Sequence, residues 1–230
     1  MESMARTIPP LFQLFHPIFG ATEADVTAGL QADKERAWSS HSDNPASHWI
    51  VVVNSVTDEF VGAVQWLIFT ESPFTAGIPV FEATWWPEGE GRELASQNIN
   101  QTHAPRVQWM NRPHLAVNQT SVHPNHRSRG VGTRLMQWGI DQADKLGLEV
   151  FIEASQAGKP LYDKFGMINL MKIEICPEKK NPGYQWKNFM HELLPMTFYC
   201  LWRPAGGKLV EGGSQNPWQV MDSILYLERA

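Results

Sequence analysis

The residues best equipped for chemistry lie in one short run, His123-Pro124-Asn125-His126-Arg127-Ser128-Arg129-Gly130-Val131-Gly132-Thr133. The run follows a β-rich segment and enters a helical pattern, so its glycine-bearing loop exposes unpaired backbone N–H groups at the positive end of a helix dipole. Such a loop holds an anion, and phosphate is the natural candidate. A Walker loop needs Lys and then Ser or Thr after its last glycine, whereas Gly132 is followed directly by Thr133. A dinucleotide fingerprint begun at Gly130 meets Leu135 where its third glycine belongs, although Glu153 lies about 20 residues on, where a ribose-binding acid would be. Arg-x-x-Gly-x-Gly, from Arg127 to Gly132, is matched in full. Arg127 and Arg129 act either as ligands or as solvated basic side chains, because the N–H groups can bind an anion without them. His123 and His126 are too few for a metal site without carboxylates in register.

A second concentration lies in residues 70–112, which mix Pro, Gly, aromatics and carboxylates. Here the sequence predicts a long irregular insertion in which only Arg92 to Asn100 and its neighbours are helical, and a loop of that length in a compact domain is more often functional than decorative. It is the expected wall of a substrate pocket. Trp85, Trp86, Phe74 and Phe81 among Glu71, Glu82 and Glu88 suit an amine joined to an apolar or aromatic body, since aromatics bury area and carboxylates offset an ammonium. Glu82 is a candidate base or counter-ion, against the plainer reading of a solvated surface carboxylate; each tryptophan could equally serve packing alone.

The elements that must position these residues follow from pattern. Thr22, with Glu23 and Asp25 behind it, opens a helix expected to end near Trp38. The runs "WIVVVN" and "EFVGAVQWLIF", separated by the turn residues Asn54 to Asp58, predict a hairpin. His114 to Val122 predicts a strand ended by Pro124. Val131, Leu135, Trp138, Ala143 and Leu146 fit helical spacing up to a glycine cap at Gly147, and "LEVFIEAS" is the next strand. Strand, helix and strand in that order predict a crossover joining parallel strands. "KPLYDKFGM" predicts a short helix, "INLMKIEI" and "TFYCLWRP" two further strands, and residues 205–230 an irregular extension.

The chain has 230 residues, 43% of them hydrophobic and 19% charged, which fits a single enlarged domain over 1–230. A net charge of -5 argues against a broad nucleic-acid surface and makes the basic loop a local exception. Two well-separated cysteines, Cys176 and Cys200, favour free thiols in a reducing compartment over a disulfide framework. The first residues show no leader pattern and no run approaches ~18 consecutive apolar residues, so an intracellular, cytoplasmic protein without a membrane partner is expected.

The Arg127–Gly132 motif, directly after a strand ending in Val-x-Pro, resembles motif A of the GCN5-related N-acetyltransferases (GNAT family), whose loop wraps the pyrophosphate of acetyl-CoA. "GTRLMQWGIDQADKLGLEVFIEAS" resembles the helix and fifth strand that follow, and "AGKPLYDKFGM" the family's "LYxKxGF" ending with Met167 in place of Phe. The resemblance runs over roughly residues 115 to 167, and the "EAS" to "LYDKFG" wording with a C-terminal extension looks like a fungal branch. It implies an α/β, three-layer fold: a central mixed, largely antiparallel sheet with splayed fourth and fifth strands, flanked by helices. It further implies that backbone N–H groups of Arg127, Ser128, Arg129, Gly130, Val131, Gly132 and Thr133 cradle the pyrophosphate. Thr120, Ser121 and Val122 would pair with pantetheine like a neighbouring strand, one N–H polarising the acetyl carbonyl. Ser155 would line the gap, or be a plain helix cap.

Tyr162 matches the family's general acid, a phenol that must be held within reach of the leaving thiolate. The base is open. Generating free amine at neutral pH from an ammonium of pKa ~10.4 costs roughly 4 to 5 kcal/mol, yet the strand face expected to carry His114, Ala116, Asn118, Thr120 and Val122 has Ala116 and neutral polar residues where some relatives have Glu or His. His114 shares that face but lies further off, as a base or a structural histidine; Asn118 is a candidate substrate contact. The function expected is direct acetyl transfer from acetyl-CoA to the amine of a small molecule, without a metal. The alternatives are a protein lysine or N-terminal acetyltransferase, and a non-catalytic acyl-CoA-binding protein. Dimers are frequent in the family, which leaves a homodimer open.

Overall fold

The structure is a computed structural model, and residues 10–209 apart from Ile78, together with Pro217, are described. Its elements in chain order are α1 (Pro10–Phe15), α2 (Glu23–Ser42), β1 (Ser47–Val53), β2 (Phe60–Phe69), α3 (Glu90–Trp109), β3 (His114–Val122), α4 (Val131–Leu146), β4 (Glu149–Ser155), α5 (Lys159–Tyr162), β5 (Ile168–Glu174), α6 (Tyr184–Leu193) and β6 (Thr197–Arg203). They group into two compact units, one of Met1–Pro45, Val80–Thr102 and Glu174–Thr197, the other of Ala46–Pro79, His103–Ile173 and Phe198–Ala230. The extension expected over 205–230 lies outside the described residues from 210 onward, Pro217 excepted.

In the first unit α2 begins as expected: the Thr22 hydroxyl accepts from the Asp25 N–H at 3.2 Å and Asp25 accepts from the Thr22 N–H at 2.9 Å, a reciprocal cap. It runs on to Ser42, four residues beyond Trp38, because backbone hydrogen bonding continues through polar residues that carry no apolar signal. The larger correction concerns residues 70–112. Instead of a mainly irregular insertion they contain the 20-residue helix α3, with Pro105 inside it. Arg106, Val107, Trp109 and Met110 beyond the proline are buried, and that burial outweighs the hydrogen bond a proline cannot donate. Helix α6, Tyr184–Leu193, is not foreseen from local pattern. The Glu90 carboxylate accepts from the N–H groups of Gly183 (2.7 Å) and Trp186 (2.8 Å), so α6 is capped by a residue about ninety positions away.

The second unit is built on a mixed six-stranded sheet in the order β1-β2-β3-β4-β6-β5, flanked by helices. The expected hairpin β1–β2 and the pair β2–β3 are antiparallel, β3 and β4 are parallel across α4 as the crossover pattern requires, and β4–β6 is antiparallel. Helix α4 ends at Gly147 in the left-handed conformation, as its spacing predicts. It lays Leu135, Met136, Ile140 and Ala143 on Val64, Trp66, Leu115, Val117, Val150 and Ile152. Contact is closest at Gly139, where a Cβ would stand 2.0 Å from Trp66 Cε2, and the Trp66 indole donates to the Leu135 carbonyl at 3.3 Å. On the opposite face Trp109 and Met110 pack with Phe151, Cys200 and Trp202.

One irregularity decides which side chains of β3 point where. Gln65 is opposite Gln119 but Trp66 is opposite Val117, so Asn118 is an extra residue, a β-bulge. Leu115 and Val117 face α4, and beyond the bulge Val122 does too, with Thr120 opposite Val64. The single face expected for His114, Ala116, Asn118, Thr120 and Val122 therefore does not exist: Thr120 and Val122 lie on the α4 side, while Gln119 and Ser121 continue the side of His114 and Ala116.

Candidate active site

Strands β3 and β4 pair only at His114–Glu149, Leu115–Val150 and Ala116–Phe151. Beyond these β3 runs six more residues and β4 four, unpaired with one another. The His123 N–H donates to the Val61 carbonyl at 2.9 Å, which fixes the alternation of the antiparallel β2–β3 ladder. Residues 119 and 121 then bond to β2, and the backbone N–H groups of Thr120 and Val122 point away from it, into the gap. The Val122 carbonyl is taken by Arg127 Nε at 3.2 Å. The N–H groups of Thr120 and Val122 are left as an open strand edge, the surface an extended ligand would pair with.

The start of α4 adjoins this edge. Gly130 has φ +81, with no atom within 4 Å of where its Cβ would be, so glycine is required there by backbone conformation and not by space. Ser128 also has positive φ, at +58. No side chain caps α4, and the N–H groups of Val131, Gly132 and Thr133 are the orphan donors of its first turn; the Arg134 N–H already bonds the Gly130 carbonyl at 3.0 Å. Among the described residues none of Arg127, Arg129 or Arg134 has a carboxylate partner within an ion-pair distance. A Cβ on Gly132 would meet Leu161 Cδ2 at 3.1 Å and Val122 Cγ2 at 3.9 Å, so the start of α4, the end of β3 and α5 converge.

On the β4 side, Ser155 and Gly158 form a turn in which the Gly158 N–H bonds the Ser155 carbonyl (3.0 Å) and its Oγ (3.2 Å). The hydroxyl thus accepts a backbone N–H just ahead of α5, as a cap does. The Tyr162 ring packs over this turn, its Cε2 3.2 Å from where a Gly158 Cβ would stand. Tyr162 is 4% exposed, and burial pushes its phenol up to about 12. Among the described residues its hydroxyl has no hydrogen-bond partner.

The other candidates lie elsewhere. His114 stands at the paired end of the β3–β4 ladder, opposite Glu149, roughly 20 Å along the strand from Thr120 at ~3.3 Å per residue. It is fully buried, its Nδ1 is 2.7 Å from the Arg112 carbonyl, its Nε2 has no partner among the described residues, and burial lowers it to about 4. Asn118 is exposed at the bulge and donates to Gln65 Oε1 at 2.8 Å; Gln65 in turn reaches the Ser47 hydroxyl at 2.7 Å. Glu82, Trp85 and Trp86 belong to the first unit. There Glu82 is paired with Arg92 at 3.3 Å, and both indoles donate to the Leu14 carbonyl at 2.9 Å. The Arg36 guanidinium lies 4.7 Å from the Trp85 ring centre.

Sequence reasoning missed a buried polar group at the base of the gap. Arg106, on α3, pairs with Glu153 on β4, and His103 lies in the same electrostatic environment, held near 4 by burial. Glu153 entered only as a dinucleotide ligand, a role its pairing with Arg106 already fills. In "HAPRVQW" the proline masks the helical spacing that puts His103 and Arg106 on one face. No group of His, Cys, Asp and Glu able to hold a metal occurs among the described residues, and none of their helices is long and apolar enough to cross a membrane.

The acetyltransferase (GNAT) family model matches residues 8–167. A 53-residue stretch is 40% identical to a protein of Ajellomyces capsulatus named "Probable acyltransferase SID5", covering 20% of this chain and 39% of that one, so the chain spans well under half of that relative's length. A Corynebacterium glutamicum structure named "histone acetyltransferase HPA2 and related acetyltransferase" superposes with a TM-score of 0.51 at 17% identity, over 91% of this chain and 90% of that one. A mosquito arylalkylamine N-acetyltransferase like 5b gives a TM-score of 0.49 at 16% identity, over 88% and 92%.

Proposed function

The chain belongs to the acetyltransferase (GNAT) family, and on that footing we propose that it is an N-acetyltransferase passing the acetyl group of acetyl-CoA to the amine of a small molecule. The observation that carries this reading is the separation of β3 from β4 after Ala116–Phe151, beside the uncapped start of α4. Acetyl-CoA supplies a thioester activated toward amine attack, and the residues present fit it. The N–H groups of Val131, Gly132 and Thr133, with Arg127 and Arg129 nearby, suit a pyrophosphate. The Thr120 and Val122 N–H groups suit an extended amide chain, and one of them an acetyl oxygen gaining charge. In the transfer a C–N bond forms as the C–S bond breaks. The proton leaving the amine goes to water, and the one reaching sulfur comes from Tyr162, itself restored from water. Desolvation that pushes the phenol up acts in the same direction on a thiolate in the same place, so burial does not by itself widen the gap between donor and acceptor.

The composition of the stretch around Trp85 is what suggests an amine with an apolar body as acceptor, and the free cysteines, Cys176 exposed and Cys200 buried, support a reducing, cytoplasmic setting. The stretch shared with the Ajellomyces protein supports a fungal branch. A second reading, a non-catalytic acyl-CoA-binding protein, is favoured by one observation: beyond Ala116 the strand offers Asn118, Gln119, Thr120 and Ser121, none ionisable near neutral pH. Calorimetric titration with acetyl-CoA tests the shared premise. Micromolar binding abolished by Arg127→Ala with Gly130→Val is the expected result, and no binding of any acyl-CoA overturns it. Thiol release over a panel of small amines, lysine peptides and free N-termini then identifies the acceptor, or assigns the binding reading if none releases thiol.

A further inference from the structure

Where two neighbouring strands of a buried sheet part company, the backbone groups that would have paired need other partners, because an unsatisfied buried carbonyl or N–H costs about as much as a lost hydrogen bond. In the second unit one side chain stands at that point. Arg106 donates from Nη2 to the Val117 carbonyl at 3.2 Å, and Val117 is the first β3 residue beyond the last paired position. The same guanidinium donates from Nε to Glu153 Oε1 at 2.9 Å and from Nη2 to Glu153 Oε2. If the parallel register continued past Ala116–Phe151, Glu153 would oppose Asn118, the bulge residue. A planar fork from α3 therefore bridges both strands immediately past the last ladder pair.

We infer that Arg106 and Glu153 are the spreader that holds β3 and β4 apart, a positioning pair that sets the width of the gap. Stability alone does not account for them. The Arg106 residue is 5% exposed and the Glu153 side chain 4%, and apolar residues of similar volume in place of so deeply buried a pair are often neutral or stabilising. What apolar residues cannot do is satisfy the Val117 carbonyl while keeping β4 at a distance. The bulge at Asn118 acts in the same sense, since it breaks the spacing a continued ladder needs. The consequence for catalysis rests on the reading of the gap as the acetyl-CoA site; the geometric role does not.

The test compares the full chain with Arg106→Met/Glu153→Leu and with Arg106→Lys, which keeps the charge but lacks the fork. Thermal unfolding, amide hydrogen exchange without ligand, and calorimetric titration with coenzyme A are read on each. The double variant is expected to melt at or above the wild-type temperature, while the Thr120 and Val122 amides exchange at least tenfold more slowly as the ladder closes and coenzyme A binds at least tenfold more weakly. The lysine variant is expected to fold and to bind coenzyme A at least threefold more weakly. Exchange at Thr120 and Val122 within twofold of wild type in a folded double variant overturns the spreader, as does unchanged affinity in the lysine variant should the double variant fail to fold. If the wild-type chain binds no coenzyme A, the acetyltransferase reading falls and the exchange comparison still decides the geometry.

Discussion

Tyr162→Phe separates chemistry from architecture at the candidate site. The ring keeps its packing over Gly158 and its neighbours in the α4-side core, and the hydroxyl it loses has no partner among the described residues. That hydroxyl is not one of the buried polar atoms left without a partner, so its removal changes little in the folded state and the variant should lie within about 1 kcal/mol of wild type. Its turnover should fall by about 100- to 10,000-fold, the usual contribution of a general acid, equivalent to roughly 3–5 kcal/mol in the barrier. Acetyl-CoA affinity should stay within about threefold. The phenol's shift from 10 to about 12 adds a second signature. The unfolded chain ionises this phenol first, so the folded form binds more protons between pH 10 and 12, and wild type loses about 2–3 kcal/mol of stability across that window. The Phe variant should not. Denaturant melts at pH 9 and pH 11.5, thiol-release kinetics and a binding titration together make the assay. Turnover within threefold of wild type at unchanged affinity would refute the proton-donor role, and an identical alkaline loss of stability in both proteins would refute the burial argument beneath it.

Two further outcomes concern stability. Gly139→Ala puts a methyl 2.0 Å from a Trp66 ring that is fully buried and tied to the Leu135 carbonyl; overpacking of this kind costs ~3 kcal/mol or more, so calorimetry should show the melting temperature lower by roughly 6–12 °C, and an unchanged melt would mean that α4 is not seated on Trp66. His103 and His114 both sit near 4 against an ordinary 6.5. The unfolded chain therefore binds more protons between those values, and stability should fall as pH drops through that window by about 3 kcal/mol per histidine; His114→Gln should remove part of the slope, and a wild-type urea midpoint flat from pH 7 to 4.5 would contradict the burial of both.

Most of what positions the site was legible because its signals are local. The alternation of β3, the spacing of α4, the glycines at 130 and 147 and the order strand-helix-strand depend on residues within a few positions of one another. The errors came from interactions at long range. The cap on α6 is Glu90, far away in the chain. Helix α3 passes through Pro105 because of what its far side buries. The bulge at Asn118 has no mark in "AVNQTSV", being set by the pairing with Gln65 and Trp66, and it overturned the assignment of side chains to faces. Arg106 was invisible as a partner of the gap for the same reason: its role exists only once α3, β3 and β4 have met.

The bulge also divides β3 into two stretches under different constraints. Up to Ala116 the strand is paired on both edges. Past Asn118 it is held on one edge only, and its side chains follow a phase set by a single inserted residue. Were the strand to run on without the bulge, Asn118 opposing Gln65 and Gln119 opposing Val64, Gln119 and Ser121 would turn toward α4, Thr120 and Val122 would leave it, and the backbone N–H groups looking into the gap would be exchanged. Which residue stands opposite Gln65 thus decides the facing of four side chains at once, with no change in the type of any residue beyond the bulge.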